Sequence, residues 1–101
     1  MKIAHQKEVL KNEFRKNKIT GHPSYIYARV GNKYKYIGLT HSPITDRIKN
    51  IKLDKNPNPR DSRVAYFRPK SESAKTNNFK KKEEGWFFSR EDKRKIDRYR
   101  Q

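Results

Sequence analysis

The stretch SYIYARVGNKYKYIGLTH, residues 24 to 41, sets two runs of tyrosine and β-branched residues on either side of the dipeptide Gly31-Asn32. A two-residue loop of glycine and asparagine supplies the positive φ angles of a primed turn, so the stretch reads as a β-hairpin with Val30 opposite Lys33. Counting outward, Arg29 faces Tyr34, Ala28 faces Lys35, Tyr27 faces Tyr36, Ile26 faces Ile37, Tyr25 faces Gly38 and Ser24 faces Leu39. Opposed residues share a face of the ladder. One face then carries Ile26, Ala28, Val30, Ile37 and Leu39 with Lys33 and Lys35 near the tip, and reads as core-facing. The other carries Tyr25, Tyr27, Tyr34 and Tyr36 with Arg29, an aromatic and basic surface.

The rest of the chain gives this ribbon little to pack against. Only 31% of 101 residues are hydrophobic, and many of those are tyrosines. This length suits one domain, residues 1 to 101, with a thin core. Against 11 acids stand 27 lysines and arginines, a net charge of +16. That excess points to a polyanionic partner. Nucleic acid fits better than a membrane surface, because the bases are spread along the whole chain and accompany no long apolar helix face. With no cysteine, disulfide and thiolate chemistry are excluded. The charged opening MKIAHQKEVLKNEF is unlike a signal peptide and no run reaches membrane-spanning length, so the expected compartment is the cytoplasm.

Residues 3 to 17 read as a helix with Ile3, Leu10 and Phe14 on one stripe and Val9 beside it. Gly21 suits a helix stop, and Pro23 holds His22 extended at the mouth of the first strand. After the hairpin, ITDRIKNI reads as a short helical turn with Ile44, Ile48 and Ile51 on one face. Asn56-Pro57-Asn58-Pro59 is a rigid turn that projects Arg60, Asp61 and Arg63. Residues 63 to 68 read as a third strand, with Ala65 and Phe67 inward by parity. Residues 70 to 84 are low in apolar residues and read as a polar loop anchored by Phe79, and residues 85 to 88 as a short buried strand. Ser89 is a helix N-cap with Asp92 three residues on, opening a basic helix over 90 to 99 with Ile96 and Tyr99 inward. The expected fold is α+β: an N-terminal helix, an antiparallel sheet of three or four strands built on the 24 to 41 hairpin, and a C-terminal helix.

In this register His22 and His41 meet at the open end of the hairpin. Two imidazoles among cations form the arrangement that RNA 2′-OH transesterification uses, one as base and one as acid. Thr40 can hydrogen-bond a phosphate oxygen, and Lys35 can hold a phosphate. The alternatives are that the histidines are solvent-facing loop residues, that Lys35 snorkels past the core edge and that Thr40 ends a strand. Tyr25, Tyr27, Tyr34 and Tyr36 are candidate stacking platforms for bases, with Arg29 adding a cation over a ring. Equally, a helix covering that face makes them a second core. Arg60, Arg63 and Arg68, with Lys80, Lys81 and Lys82, are candidate phosphate contacts. No zinc ligand set, acid pair or glycine-rich phosphate loop nominates a metal or another cofactor.

Tyr25-Ile26-Tyr27, Tyr36-Ile37-Gly38 and Arg47 resemble the opening of the GIY-YIG nucleases, with Tyr25 where the family has its first glycine. The resemblance implies a metal-dependent site built from Tyr27, Tyr36 and Arg47 with a later glutamate. The whole layout is also similar to the small nucleases of phages and mobile elements grouped with barnase, EndoU, colicin toxins and RelE. That resemblance implies a metal-independent, toxin-like ribonuclease, with His22, Lys35, Thr40, His41 and Tyr66 as the positions to test. The expected function is therefore a basic nucleic-acid-binding protein, foremost a small nuclease acting on RNA and possessing an inhibitory protein partner. The alternative from another class is a non-catalytic nucleic-acid binder or an inhibitor of a nucleic-acid enzyme.

Overall fold

The structure is a computed structural model that describes residues 7 to 100. Strands β1 (Lys7–Lys16), β2 (Pro23–Val30) and β3 (Lys33–Thr40) are followed by a small hairpin of β4 (Ile44–Thr45) and β5 (Ile48–Lys49). Then come β6 (Ile51–Lys52), the long β7 (Tyr66–Lys75), a single 3-10 turn (Thr76–Asn78) and one helix, α1 (Arg90–Asp97). The main sheet is antiparallel with strand order β1-β2-β3-β7-β6. Among the described residues the fold is mostly sheet. The expected arrangement of an N-terminal and a C-terminal helix is thus overturned: residues 7 to 16 form an edge strand, and residues 3 to 6 of the expected helix lie outside the described residues.

A bulge explains that error. β1 pairs with β2 in two stretches, Lys7 to Val9 and Glu13 to Lys16, and the three residues between them stand against Tyr27 alone. Extra residues on one strand shift the side-chain parity. Leu10 accordingly packs on one face of the sheet and Phe14 on the other, although a helical period places them on one stripe.

The central hairpin turns at Gly31-Asn32 as its sequence dictates, with Gly31 at φ 61. Val30 faces Lys33, Arg29 faces Tyr34 and Ala28 faces Lys35. Beyond them a bulge at Tyr27 slips the register by one, so that Ile26 faces Tyr36, Tyr25 faces Ile37 and Ser24 faces Gly38. The expected pairs Tyr27 with Tyr36 and Ile26 with Ile37 do not form. In a sheet a slip of one exchanges the two faces. Tyr25 and Tyr27 therefore join Ile37 and Leu39, while Ile26 joins Tyr34 and Tyr36.

Each face has its own cover. On the helix face, Phe14, Tyr25, Tyr27, Ile37, Leu39, Leu53 and Phe67 pack under Phe88 and Ile96. Ser89 caps α1 by accepting a hydrogen bond from the Asp92 backbone N–H (3.2 Å), as its sequence predicts. The Asp92 carboxylate is wholly buried and accepts from the backbone N–H groups of Asp54 (2.8 Å) and Lys55 (3.0 Å), tying the 53 to 56 loop to the helix. On the opposite face the chain leaving β7 crosses the sheet as a strap whose Phe79 ring covers Tyr34, Tyr36 and Ile26. The strap then runs antiparallel beside β1, through Lys18 N–H to Asn78 C=O (2.7 Å), Lys80 N–H to Lys16 C=O (2.9 Å) and Glu83 N–H to Phe14 C=O (2.8 Å).

Three further expectations are revised. The third strand begins at Tyr66 and continues to Lys75 through residues that read as loop, with Pro69 accommodated in a bulge where Arg68, Pro69 and Lys70 stand against Gly38. Ala65 and Phe67 do point inward, while Val64 is half exposed. Residues 44 to 51 form the β4–β5 hairpin and β6 in place of a helical turn, with Asp46 and Arg47 both left-handed (φ 53 and 66) at its tip. Residues 85 to 88 form no strand; Phe88 alone of its aromatics is buried, and Phe87 is exposed.

Candidate nucleic-acid interface

The slipped register decides the fate of every candidate residue. Tyr25 and Tyr27 are 0% exposed on the helix face, and Tyr34 and Tyr36 are 8% exposed beneath the strap. Tyr25 meets the Phe14 and Phe88 rings at 5.7 and 5.0 Å between centroids, and Phe79 meets Tyr34 and Tyr36 at 5.4 and 5.2 Å. None of the four presents a ring to a base. The expected stacking platform is a double core, and the few aliphatics of the chain are the physical reason. Arg29 turns its Nε to Gly31 C=O (3.0 Å) instead of covering a ring; Arg15 lies over Tyr34 and Arg100 over Tyr27 (5.3 and 5.1 Å). Tyr27 and Tyr36 lie on opposite faces and Arg47 sits in a tight turn, so the residues of the GIY-YIG resemblance do not converge. Burial, with Glu72 opposite, raises the Tyr36 phenol above its ordinary pKa, so it remains a neutral donor.

At the open end the same slip separates the histidines. Extending the register past Ser24 and Gly38 sets His22 beside Thr40, and leaves His41 one position further on, toward the other face. His22, Thr40, Tyr36, Gly38, Arg68 and Glu72 line a hollow of about 60 Å³ on the strap side. His41 lines a larger cleft of about 380 Å³ with Lys16, Asp61, Arg63, Glu83 and Trp86. Pro23 is a wall of both. The two histidines therefore line different hollows. His41 gains a different partner, because Nε2 lies 3.0 Å from Asp61 Oδ2. Asp61 is held by the rigid turn before it and by Arg63, whose Nε, NH2 and backbone N–H all donate to its carboxylate (3.0, 2.9 and 3.0 Å). These bonds, with that from His41, hold the Asp61 carboxyl well below the usual carboxylate range. Asp61 is therefore an ionised acceptor, and Nε2 is the His41 nitrogen that donates to it.

The remaining candidates scatter. Lys35 lies five positions along β3 from Thr40, roughly 16 Å of extended chain. Tyr66 starts β7 opposite Thr40 and Lys52 but lines neither hollow. Arg60 is exposed on the proline turn, and Arg68 lies over Gly38 with its guanidinium 3.4 Å from Asp46. What the sequence does not reveal is a row that register alone creates. Lys7, Val30, Lys33 and Lys75 stand directly opposite one another across β1, β2, β3 and β7, on the helix face. Behind them run Val9, Ala28, Lys35 and Ser73. Neither row contains an acid. Lys33 and Lys75 are exposed, and Lys7 and Arg100 lie over the Tyr27 ring beside them. Lys75 was hidden within a stretch that reads as loop, so the signal that finds it is the length of β7.

Among the described residues no group of three or more histidines and acids is placed to hold a metal ion, and no helix is long and apolar enough to cross a membrane. Comparison of the chain with protein-family models, with curated proteins and with solved structures finds no match.

Proposed function

We propose that this protein binds nucleic acid through the phosphate backbone, on the lysine apron at the tip of the central hairpin. The observation that carries this reading is the direct opposition of Lys33 and Lys75, with Lys7 in the same row and Lys35 behind. Like charges placed directly across a ladder destabilise it, and a sheet that keeps several of them together has a counter-charge to gain. Several acids are paired away from the apron: Glu13 with Arg15, Asp54 with Lys95, Asp61 with Arg63, and Asp97 with Lys93 and Arg100. The two rows of the apron carry lysines and no acid. With the tyrosines buried, binding is led by phosphate contacts and tolerates any sequence. The sugar preference for RNA that a histidine pair would bring is absent from the apron.

One observation favours a second reading, that the bound strand is also cut. The His41–Asp61 pair fixes which imidazole nitrogen faces the carboxylate, in a cleft lined by Lys16 and Arg63 beside Asp61 and Glu83. In that reading Nδ1 takes the proton of a ribose 2′-OH as its oxygen attacks the adjacent phosphorus, and the 5′-oxygen leaves with a proton from water. DNA lacks the hydroxyl and would survive.

Labelled RNA and DNA of the same sequence, incubated with and without EDTA, test both readings. Binding of both polymers that weakens steeply with salt supports the apron. RNA cleavage that survives EDTA and disappears in His41→Ala supports the second reading, and intact RNA throughout refutes it.

A further inference from the structure

The hollow on the strap side has a wall chemistry that the apron does not share. Five hydroxyl residues line it, Ser24 among them, and four of their oxygens already accept a hydrogen bond: Thr20 from His22 N–H (3.2 Å), Thr40 from Ser42 N–H (3.1 Å), Thr45 from Asn50 Nδ2 (2.8 Å) and Tyr36, at long range, from Asn17 Nδ2 (3.5 Å). A hydroxyl whose oxygen is engaged in this way still has its own proton to give. The Arg68 guanidinium, 3.4 Å from Asp46, and the His22 ring add further donors, and the Arg68 methylenes run past Gly38, in ordinary contact distance (3.6 Å) of where a Cβ would stand. At about 60 Å³ the hollow is small, on the scale of a phosphate group. One acid breaks the pattern: Glu72, opposite Tyr36. A carboxylate repels a phosphodiester, which has no P–OH. It accepts a hydrogen bond from the monoprotonated form of a phosphomonoester, which predominates below the second pKa near 6, so this contact strengthens as pH falls toward 6.

We propose that this hollow binds a terminal phosphomonoester. The inference rests on the reading that the chain binds nucleic acid, and it makes the protein a reader of strand ends. Pro23 separates the hollow from the His41 cleft, so a strand seated by its terminal phosphate continues over Pro23 toward His41.

The test uses decanucleotides of one sequence, labelled at the opposite end, carrying a 5′-phosphate, a 3′-phosphate or hydroxyls only, with binding followed by fluorescence anisotropy. One phosphorylated end is expected to bind about tenfold more tightly than the hydroxyl strand, the scale of one charged hydrogen bond. That ratio should collapse toward one in Arg68→Met, which keeps the methylenes over Gly38, and in Thr40→Val. Lys33→Gln with Lys75→Gln should weaken all three strands alike and keep the ratio. Amide NMR with inorganic phosphate separates the sources: shifts at Gly38, Thr40 and Thr45 without any strand show that the group alone suffices. Strands that bind with no end preference, or a preference that survives both hollow variants, overturn this inference and leave the apron standing. Failure of every strand to bind at low salt overturns both.

Discussion

Replacing Lys75 by glutamate should raise the stability of this protein while lowering its affinity for nucleic acid, an opposition of signs that a merely solvating lysine would not produce. Lys75 directly faces Lys33, and both are exposed. Exchanging a like-charged for an oppositely charged cross-strand pair is worth about 0.2 to 1 kcal/mol for each of the two changes of sign. Solvent screening at so open a position keeps the sum near the lower end, about 0.5 kcal/mol. For a domain of this length that is a rise in Tm of roughly 2 to 4 °C, shrinking as salt is raised. Binding should move the other way: with one lysine fewer on the phosphates, the slope of log affinity against log salt falls by about 0.7 on a single strand and 0.9 on a duplex. Thermal melts at low and high salt, paired with anisotropy titrations, read both numbers. A variant that melts lower than the parent, or binds with an unchanged salt slope, refutes the opposed-lysine argument.

Other consequences can be checked independently. Phe79→Ala should destabilise by about 3 kcal/mol in denaturant unfolding, because Phe79 is the ring that the strap lays over Tyr34 and Tyr36. Asp92→Ala should lower stability by about 3 kcal/mol, since it leaves the backbone N–H groups of Asp54 and Lys55 without their acceptor inside the fold. The Asp61 clamp has a definite pH sense: its folded pKa is depressed by Arg63, so its contribution is present above the ordinary aspartate pKa near 4 and is lost only as pH falls well below that value. The Arg63 side-chain resonances should therefore hold their position down to about pH 4 in an NMR titration, and Asp61→Asn should abolish their low-pH transition.

The elements that local chemistry governs were legible in the sequence. Gly31-Asn32 names its turn, Ser89 names its cap, and parity from Pro69 puts Ala65 and Phe67 inward. What hid the remainder is a set of bulges. Leu10 and Phe14 mimic a helical stripe because the bulge between Val9 and Glu13 breaks the alternation that would have announced a strand. The bulge at Tyr27 put His22 and His41 in different hollows, brought Thr40 beside His22 and divided the four tyrosines between two buried faces. No residue at that position marks it, for the bulge follows from what the two faces bury and not from local preference. β7 escaped notice for a related reason: residues 70 to 75 are polar, and only the ladder with β3 makes them a strand. The His41–Asp61 pair spans twenty residues and depends on how the proline turn folds back, which no spacing rule expresses.

The central claim is that an apron of four lysines, Lys7, Lys33, Lys35 and Lys75, holds a phosphate backbone. It is tested most directly by titrating the protein into a labelled single-stranded oligonucleotide across a range of salt. Four phosphate contacts imply a log–log slope of roughly −3, so that affinity falls about fiftyfold between 50 and 200 mM salt, whatever the base sequence. An affinity that is flat in salt, or no binding at 50 mM, would contradict the account.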